Sequence, residues 1–177
     1  MGCSMPKLIP DAKAKIISIA KKQLFENGYA GLTLREIADQ CSLAVGTIYN
    51  YFPSKDMLVA SIMAEDWHKS HKNMQKSCKT ASNVEQGVRV IYKEICDYVQ
   101  TYEKIWSEYK GMLNSFGQRH VMLRSQLSDL LSALLERLDR KEDMELCPLL
   151  AETVLAGAIQ KDIDYSVLSR MVNRIFS

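Results

Sequence analysis

Apolar residues recur at intervals of three and four along most of this 177-residue chain, which is the spacing of an α-helix that buries one face. No stretch alternates between apolar and polar residues over the length of a β-strand. The pattern therefore predicts an all-α fold. We expect helices over residues 11–27, 33–41, 45–52, 54–78, 88–102, 105–116, 122–138, 148–160 and 164–176.

The interruptions of this pattern predict where helices end. Asn27–Gly28 is typical of the left-handed residue that closes a helix, and Gly117 breaks the apolar pattern of the helix before it. Residues 72–82 are polar and weakly periodic. They predict a loop or a domain boundary near residues 79–83.

The stretch TLREIADQCSLAVGTIYNYFPSKDML, residues 33–58, carries the clearest local signals. Thr33 and Glu36 have the spacing of a capping box, in which two side chains satisfy the free N–H groups that begin a helix. Apolar residues follow on one helical face. They are Leu34, Ile37, Ala38 and Cys41.

A second short helix follows after a turn at residues 42–44. Residues 45–52 make about two helical turns, Pro53 ends them, and Ser54 is suited to cap the next helix. Two short helices joined by a three- to four-residue turn predict a helix-turn-helix motif, whose second helix enters the DNA major groove.

The charge distribution agrees with a DNA-contacting first half. The net charge of the whole chain is +2. Residues 1–82 carry eleven Lys and Arg against seven Asp and Glu, giving +4, and residues 83–177 carry twelve against fourteen, giving −2. The asymmetry is small, so it supports the motif without deciding the function.

Neither a cofactor nor a metal is predicted. The five cysteines are scattered and form no CxxC pair, so the sequence indicates neither a zinc site nor a disulfide framework. His68 and His71, with Asp66 nearby, lack a third well-placed metal ligand. The cysteine usage favours a reducing, cytoplasmic location.

No membrane association is predicted either. No apolar run reaches the ~18–20 residues that a membrane span needs. The leading MGCSMP is interpreted as lying outside the fold, and Pro6 stands where a myristoylation signal needs Ser or Thr.

Residues 11–58 resemble the DNA-binding segment of the tetracycline-repressor-like (TetR) family of transcriptional regulators. The resemblance depends on FENGY, TLREIA, GTIYNYF and PSKDML at this spacing. It implies no enzymatic activity, but an all-α homodimer with a helix-turn-helix domain at residues 8–58, the motif itself at 33–52, and a helical ligand-binding and dimerisation domain at 59–177.

The resemblance also implies which residues contact double-stranded DNA. Gly46 lets the backbone approach DNA, Tyr49 and Asn50 offer polar groups to phosphates or base edges, and Lys55 matches a lysine that meets a backbone phosphate. The alternative for either tyrosine is a packed core position. The candidate set is Thr33, Arg35, Gly46, Thr47, Tyr49, Asn50, Tyr51 and Lys55.

Two positions depart from the family pattern. Ala44 stands where members often have Ser or Thr to cap the recognition helix, and Val45 is apolar where a base-reading group is expected. The sequence therefore predicts a recognition helix with a weak N-terminal cap.

In this family the effector pocket lies within the helical body. A cluster of aromatic and Met residues favours an apolar or aromatic small molecule, although ordinary core packing explains the same pattern. The candidate effector-binding residues are Met63, Trp67, Tyr92, Tyr102, Trp106, Tyr109, Met112 and Phe116.

The last two predicted helices are apolar on more than one side. A second copy of the chain would cover the extra apolar surface by forming a four-helix bundle through residues 148–176. The alternative is one wide face directed at the protein's own core.

The sequence thus predicts a ligand-responsive repressor that a small apolar or aromatic effector releases from a near-palindromic operator. A helical partner-binding protein with a degenerate DNA-binding head is the alternative. An enzyme built on a helical bundle is disfavoured, because the chain offers neither a Glu-x-x-His pair nor a nucleophile–base motif.

Overall fold

The computed structural model describes the backbone of residues 11–108, 116–160 and 164–176, and the side chains of these residues except 116–118. Every regular element in these ranges is helical, which confirms the predicted all-α class. In order they are α1 (Ala12–Gly31), α2 (Leu34–Cys41), α3 (Val45–Tyr51), α4 (Lys55–Cys78), α5 (Val84–Glu108), α6 (Phe116–Arg137), a 3-10 helix (Lys141–Leu146), α7 (Cys147–Gln160) and α8 (Tyr165–Ile175).

The end of α1 differs from the expected left-handed cap. Gly28 has φ 73° and ψ 178°, a conformation that glycine adopts without steric cost. Its extended ψ makes a kink, after which one further helical turn runs to Gly31. The prediction located the break correctly and described its geometry wrongly.

Three other elements also differ from the sequence pattern. Residues 88–102 and 105–108, expected in two helices, lie in the single helix α5. Helix α6 begins at Phe116, so Gly117 lies in its first turn instead of ending a helix. Most of the charged run after the leucine stripe forms the 3-10 helix that precedes α7.

The described residues divide into two compact units, the first formed by residues 11–66 and 104–108. Its core consists of apolar side chains from each of its helices, which are buried at the spacing that the sequence predicted. They include Ile16, Ala20, Leu24, Ile37, Ala38, Ile48, Phe52, Leu58 and Ile62.

The second unit comprises residues 67–103, 116–160 and 164–176. Its core combines one face of α5 with the leucines of α6 and small residues of α7. Gly87 of α5 is buried where a Cβ atom would overlap the Leu134 side chain of α6. Glycine at this position therefore allows the two helices to pack closely.

A polar cluster attaches α8 to α5 inside the second unit. Tyr165 and Ser169 each donate a hydrogen bond to Glu85 Oε1, at 3.1 and 2.8 Å. Burial raises the pKa of Glu85, but the hydrogen bonds from Arg89, Ser169 and Tyr165 outweigh it and hold the pKa below its usual value. The carboxylate is therefore charged at neutral pH, and it accepts all three hydrogen bonds.

Candidate nucleic-acid interface and effector site

Two buried side chains orient helix α3. Ile48 and Phe52 are almost fully buried, and their four-residue spacing places them on one side of the helix. Tyr49 and Asn50 are consequently on other sides, and both are exposed, with Tyr49 half exposed at 50%. The side of α3 opposite the core thus presents polar groups to solvent.

Side-chain hydrogen bonds hold both ends of helix α2. Thr33 Oγ1 accepts a hydrogen bond from Glu36 N at 3.3 Å, as the capping spacing predicted, and Arg35 beside it is exposed. At the other end, Lys15 Nζ donates to the Cys41 carbonyl at 2.9 Å, which ties α1 to α2. Burial raises the pKa of the Cys41 thiol despite the nearby Lys15, so Cys41 is a neutral core residue.

Helix α3 lacks a side-chain cap, as the sequence predicted. Ala44 has the extended backbone of an N-cap residue, φ −65° and ψ 143°, but its methyl group cannot accept a hydrogen bond. Its carbonyl still accepts from Thr47 N at 2.8 Å. The start of α3 therefore depends on backbone bonds and on the anchoring of Ile48.

Gly46 occupies open space in the first turn of α3. A Cβ atom built on it would meet no atom within 4 Å, and the residue is exposed. Neither packing nor backbone conformation within the described chain requires glycine here. The position is one where an external surface can approach the helix backbone closely.

Lys55 is held at the start of α4 by the turn that follows the α1 kink. Its Nζ lies 4.2 Å from the centre of the Tyr29 ring and donates to the Ala30 carbonyl at 3.4 Å. The Tyr29 hydroxyl donates to Asp56. Ser54 Oγ caps α4 by accepting from Met57 N at 3.1 Å, as predicted.

The eight predicted DNA-contacting residues all remain at least partly accessible in the first unit. Thr33, Arg35, Gly46, Tyr49 and Asn50 are exposed, and Thr47, Tyr51 and Lys55 are partly exposed. Neither tyrosine is buried in the core, so the alternative of packed core aromatics is not what the fold adopts. Tyr29 lies in the FENGY segment on which the resemblance depends, but it was not among the predicted site residues.

The predicted effector residues that the structure describes are divided between the two units. Trp67 and Tyr102 are buried in the second unit and are linked through Tyr98, with ring centres 5.3 and 5.0 Å apart. Trp67 Nε1 also donates to Gln126 Oε1 at 2.7 Å. Neither Tyr98 nor Gln126 was predicted, although Tyr98 lies one helical turn before Tyr102 on α5.

The other predicted effector residues lie elsewhere. Tyr92 is partly exposed and contacts the Tyr165 ring at 4.9 Å. Met63 is buried, and Trp106 is partly exposed, in the first unit. Tyr109, Met112 and the side chain of Phe116 lie outside the described residues.

Two grooves open on the second unit. The larger, about 210 Å³, lies between α4 and α6, and its wall includes His71, Lys79, Asp129 and Arg137. The smaller, about 120 Å³, is lined mainly by apolar groups of α7 and α8, with Tyr92 at its edge. Of the predicted effector residues whose side chains the structure describes, only Tyr92 lines either groove.

Neither a metal cluster nor a membrane-spanning helix is present in the described parts of the chain. No group of three or more His, Cys, Asp or Glu residues there has the geometry to hold a metal ion. No helix among these residues is long and apolar enough to cross a membrane.

Residues 16–62 match the family model described as bacterial regulatory proteins, tetR family. This range contains α2, α3 and the polar side of α3 described above. The chain belongs to the TetR family. This membership confirms the family expected from the sequence, and it makes the protein a non-enzymatic, DNA-binding transcriptional regulator.

Relatives of this TetR-family protein extend over most of its length. It is 23% identical to the fatty acid metabolism regulator protein of Bacillus subtilis over 158 residues, which are 89% of this chain and 76% of the relative. It is 20% identical to the transcriptional regulator UidR of Escherichia coli K12 over 165 residues, 90% of this chain and 75% of UidR.

Solved structures share the fold over most of the chain. FadR of Thermus thermophilus, a transcriptional repressor in complex with lauroyl-CoA, aligns with a TM-score of 0.62 at 16% identity and covers 92% of each chain. The multidrug binding protein EbrR complexed with imidazole aligns with a TM-score of 0.64 at 16% identity, covering 96% of this chain and 97% of EbrR.

The open space around Gly46 predicts that a substitution there changes stability and DNA affinity in opposite directions. We expect Gly46→Ala to raise the free energy of unfolding by up to about 1 kcal/mol, because alanine favours the helix and meets no obstacle. The same methyl group lowers DNA affinity, because it separates the α3 backbone from DNA. Thermal unfolding and fluorescence anisotropy on a duplex selected by the wild-type protein measure the two effects.

Unchanged DNA affinity in a stabilised Gly46→Ala variant would contradict the close approach. Gly31→Ala is not a suitable control, because a Cβ atom there would crowd Asn27. Ala44→Ser is the appropriate one, since it also stabilises the start of α3 while leaving Gly46 in place.

Proposed function

We propose that this TetR-family regulator is a repressor that an apolar or aromatic effector releases from a near-palindromic operator. The observation that carries the proposal is the geometry of α3. Ile48 and Phe52 point into the core of the first unit, and Tyr49 and Asn50 are left exposed beside the open Gly46 backbone. An exposed polar face on the second helix of a helix-turn-helix is suited to the major groove.

The proposed contacts divide into positioning and reading groups. Lys55, Thr33 and Arg35 are suited to phosphates, which fix the protein on the duplex. Tyr49 and Asn50 are suited to base edges, and an Asn amide matches the donor and acceptor pair of adenine. Thr47, Tyr51 and the Gly46 backbone complete the proposed surface.

Two substitutions test this assignment. We expect Tyr49→Ala to weaken binding to the selected duplex by about five- to 150-fold, the equivalent of ~1–3 kcal/mol per base contact. We expect Lys55→Ala to weaken binding and to reduce the slope of log affinity against log salt by about 0.9, because one phosphate contact is lost.

Lys93→Ala is the matched control for Lys55→Ala, because Lys93 is exposed and lies in the second unit. It removes the same charge without removing a proposed contact. Wild-type affinity in both Tyr49→Ala and Lys55→Ala would refute the proposed DNA surface.

Apolar side chains exposed on the last two helices support a homodimer through residues 148–176. Leu149 of α7 is 68% exposed, and Val167 and Ile175 of α8 are 47% and 45% exposed. Leu168 and Val172 of α8 are buried, so α8 has apolar residues on two sides. A second copy of α7 and α8 would remove the exposed set from water as a four-helix bundle.

A paired substitution tests the dimer. We expect Leu149→Glu with Val167→Glu to convert a dimer into a folded monomer, because like charges would face each other across a two-fold interface. Sedimentation equilibrium measures the mass. Met57→Glu, an exposed apolar position in the first unit, is the control, and a monomeric wild-type protein would refute the interface.

The effector proposal is supported by the aromatic core of the second unit. Trp67, Tyr98 and Tyr102 form an apolar cluster in which Gln126 supplies one hydrogen-bonding group. The grooves of about 210 and 120 Å³ are smaller than the ~300–1,000 Å³ typical of small-molecule sites. We therefore infer that the second unit opens to admit an effector of that size, and we place this opening at the aromatic cluster.

The proposed mechanism links this opening to DNA release. Helix α4 begins at Lys55 in the DNA-binding unit and continues to Cys78 in the second unit. An effector that favours a different position of α4 would change the distance between the two recognition helices of a dimer. Binding to successive major grooves requires a separation of ~34–36 Å.

Lauroyl-CoA is the first effector probe, because FadR binds it and a fatty acid metabolism regulator is among the relatives. We expect it to release the selected duplex and to change tryptophan fluorescence, since Trp67 would leave its contacts with Tyr98 and Gln126. Coenzyme A without the acyl chain is the control and should do neither. If lauroyl-CoA leaves both signals unchanged, an acyl effector is refuted.

A further inference from the structure

The turn after the α1 kink receives a carboxylate from the end of α5. Glu108 Oε2 accepts a hydrogen bond from Ala30 N at 3.2 Å. The same carboxylate faces Gly28, where a Cβ atom would lie 3.0 Å from Oε2. The glycine that permits the positive φ thus also leaves room for Glu108.

The opposite side of this turn holds Lys55. The Ala30 carbonyl accepts a hydrogen bond from Lys55 Nζ, and the Tyr29 ring lies beneath the ammonium group. The Tyr29 hydroxyl is in turn engaged by Asp56. Residues 28–30 are therefore fixed by Glu108 through an N–H group and position Lys55 through a carbonyl and a ring.

We propose that Glu108 is a positioning residue for the phosphate contact of Lys55. Its carboxylate fixes the Gly28–Ala30 turn in the conformation that holds the Lys55 ammonium group in place. This inference rests on the proposed function, in which Lys55 binds a DNA phosphate.

Electrostatics alone predicts the opposite effect for Glu108. A carboxylate on a DNA-binding unit repels phosphates, so its removal should raise affinity or leave it unchanged. If Glu108 instead positions Lys55, its removal lowers affinity. The sign of the change therefore separates the two roles.

The location of Glu108 links its hydrogen bond with Ala30 to the position of helix α5. Helix α5 contributes residues 84–103 to the second unit, and its last turn, including Glu108, belongs to the first. A shift of α5 along its axis would draw the carboxylate away from Ala30. The phosphate contact of Lys55 thereby becomes sensitive to the position of a helix that also carries Tyr98 and Tyr102.

The test compares three variants of the full chain on the selected duplex. We expect Glu108→Ala to weaken binding about three- to tenfold, in the range of one lost hydrogen bond, and to lower the salt slope toward that of Lys55→Ala. Glu108→Gln keeps an oxygen acceptor for Ala30 N and should retain most of the affinity. Glu65→Ala, which removes an exposed carboxylate of the same unit, should not weaken binding.

A double-mutant cycle separates this inference from the proposed function. If Glu108 acts through Lys55, Glu108→Ala adds no further loss in a Lys55→Ala background. Fully additive losses, or equal losses in Glu108→Ala and Glu108→Gln, would overturn the inference and leave the DNA surface intact. An unchanged salt slope in Lys55→Ala would instead overturn the phosphate contact itself.

Discussion

The burial of Ile48 and Phe52 is the constraint on which the proposed DNA-contacting side of α3 depends. These two side chains are one turn apart, and their contact with the core sets the rotation of a seven-residue helix that lacks a side-chain cap. An isolated helix of this length is unstable in water, so its structure comes from packing. Because these two buried side chains fix the rotation of α3 about its axis, they also fix which side of α3 faces solvent. The polar groups of Tyr49 and Asn50 are thus oriented by residues that are themselves buried in the core.

The local features of the fold were predictable because they depend on neighbours in sequence. The Thr33 cap, the Ser54 cap and the burial of Leu34, Ile37 and Cys41 each follow from residue types at spacings of four or fewer. The conformation of Gly28 did not follow. Its break was visible in the sequence, but its neighbour in the fold is the carboxylate of Glu108, which is eighty positions away along the chain. Periodicity carries no information about such a partner.

The same limit explains which of the proposed site residues the sequence predicts. Lys55 and Tyr49 lie within a motif whose spacing is specific, so the sequence predicts them as DNA contacts. Tyr29 and Gln126 acquire their roles from contacts with Lys55 and Trp67, and neither contact has a local signature. The effector residues were predicted from an aromatic pattern that core packing also produces. The structure shows Trp67 and Tyr102 buried in such a core.

The buried rings of the aromatic cluster and the exposed polar side of α3 together favour a mechanism in which a conformational change controls DNA binding. The polar side of α3 is already exposed and needs no ligand to form. A repressor's effector would therefore act by favouring a state in which this side of α3 fits DNA less well. In the proposed mechanism the aromatic cluster supplies the difference in affinity between the two states, because the effector would bind where Trp67, Tyr98 and Tyr102 have separated. Helices α4 and α5 both carry residues of this cluster. Lys55 is the first residue of α4 and Glu108 is the last of α5, and both contact Ala30. The proposed phosphate contact of Lys55 therefore shares its two supporting helices with the aromatic cluster.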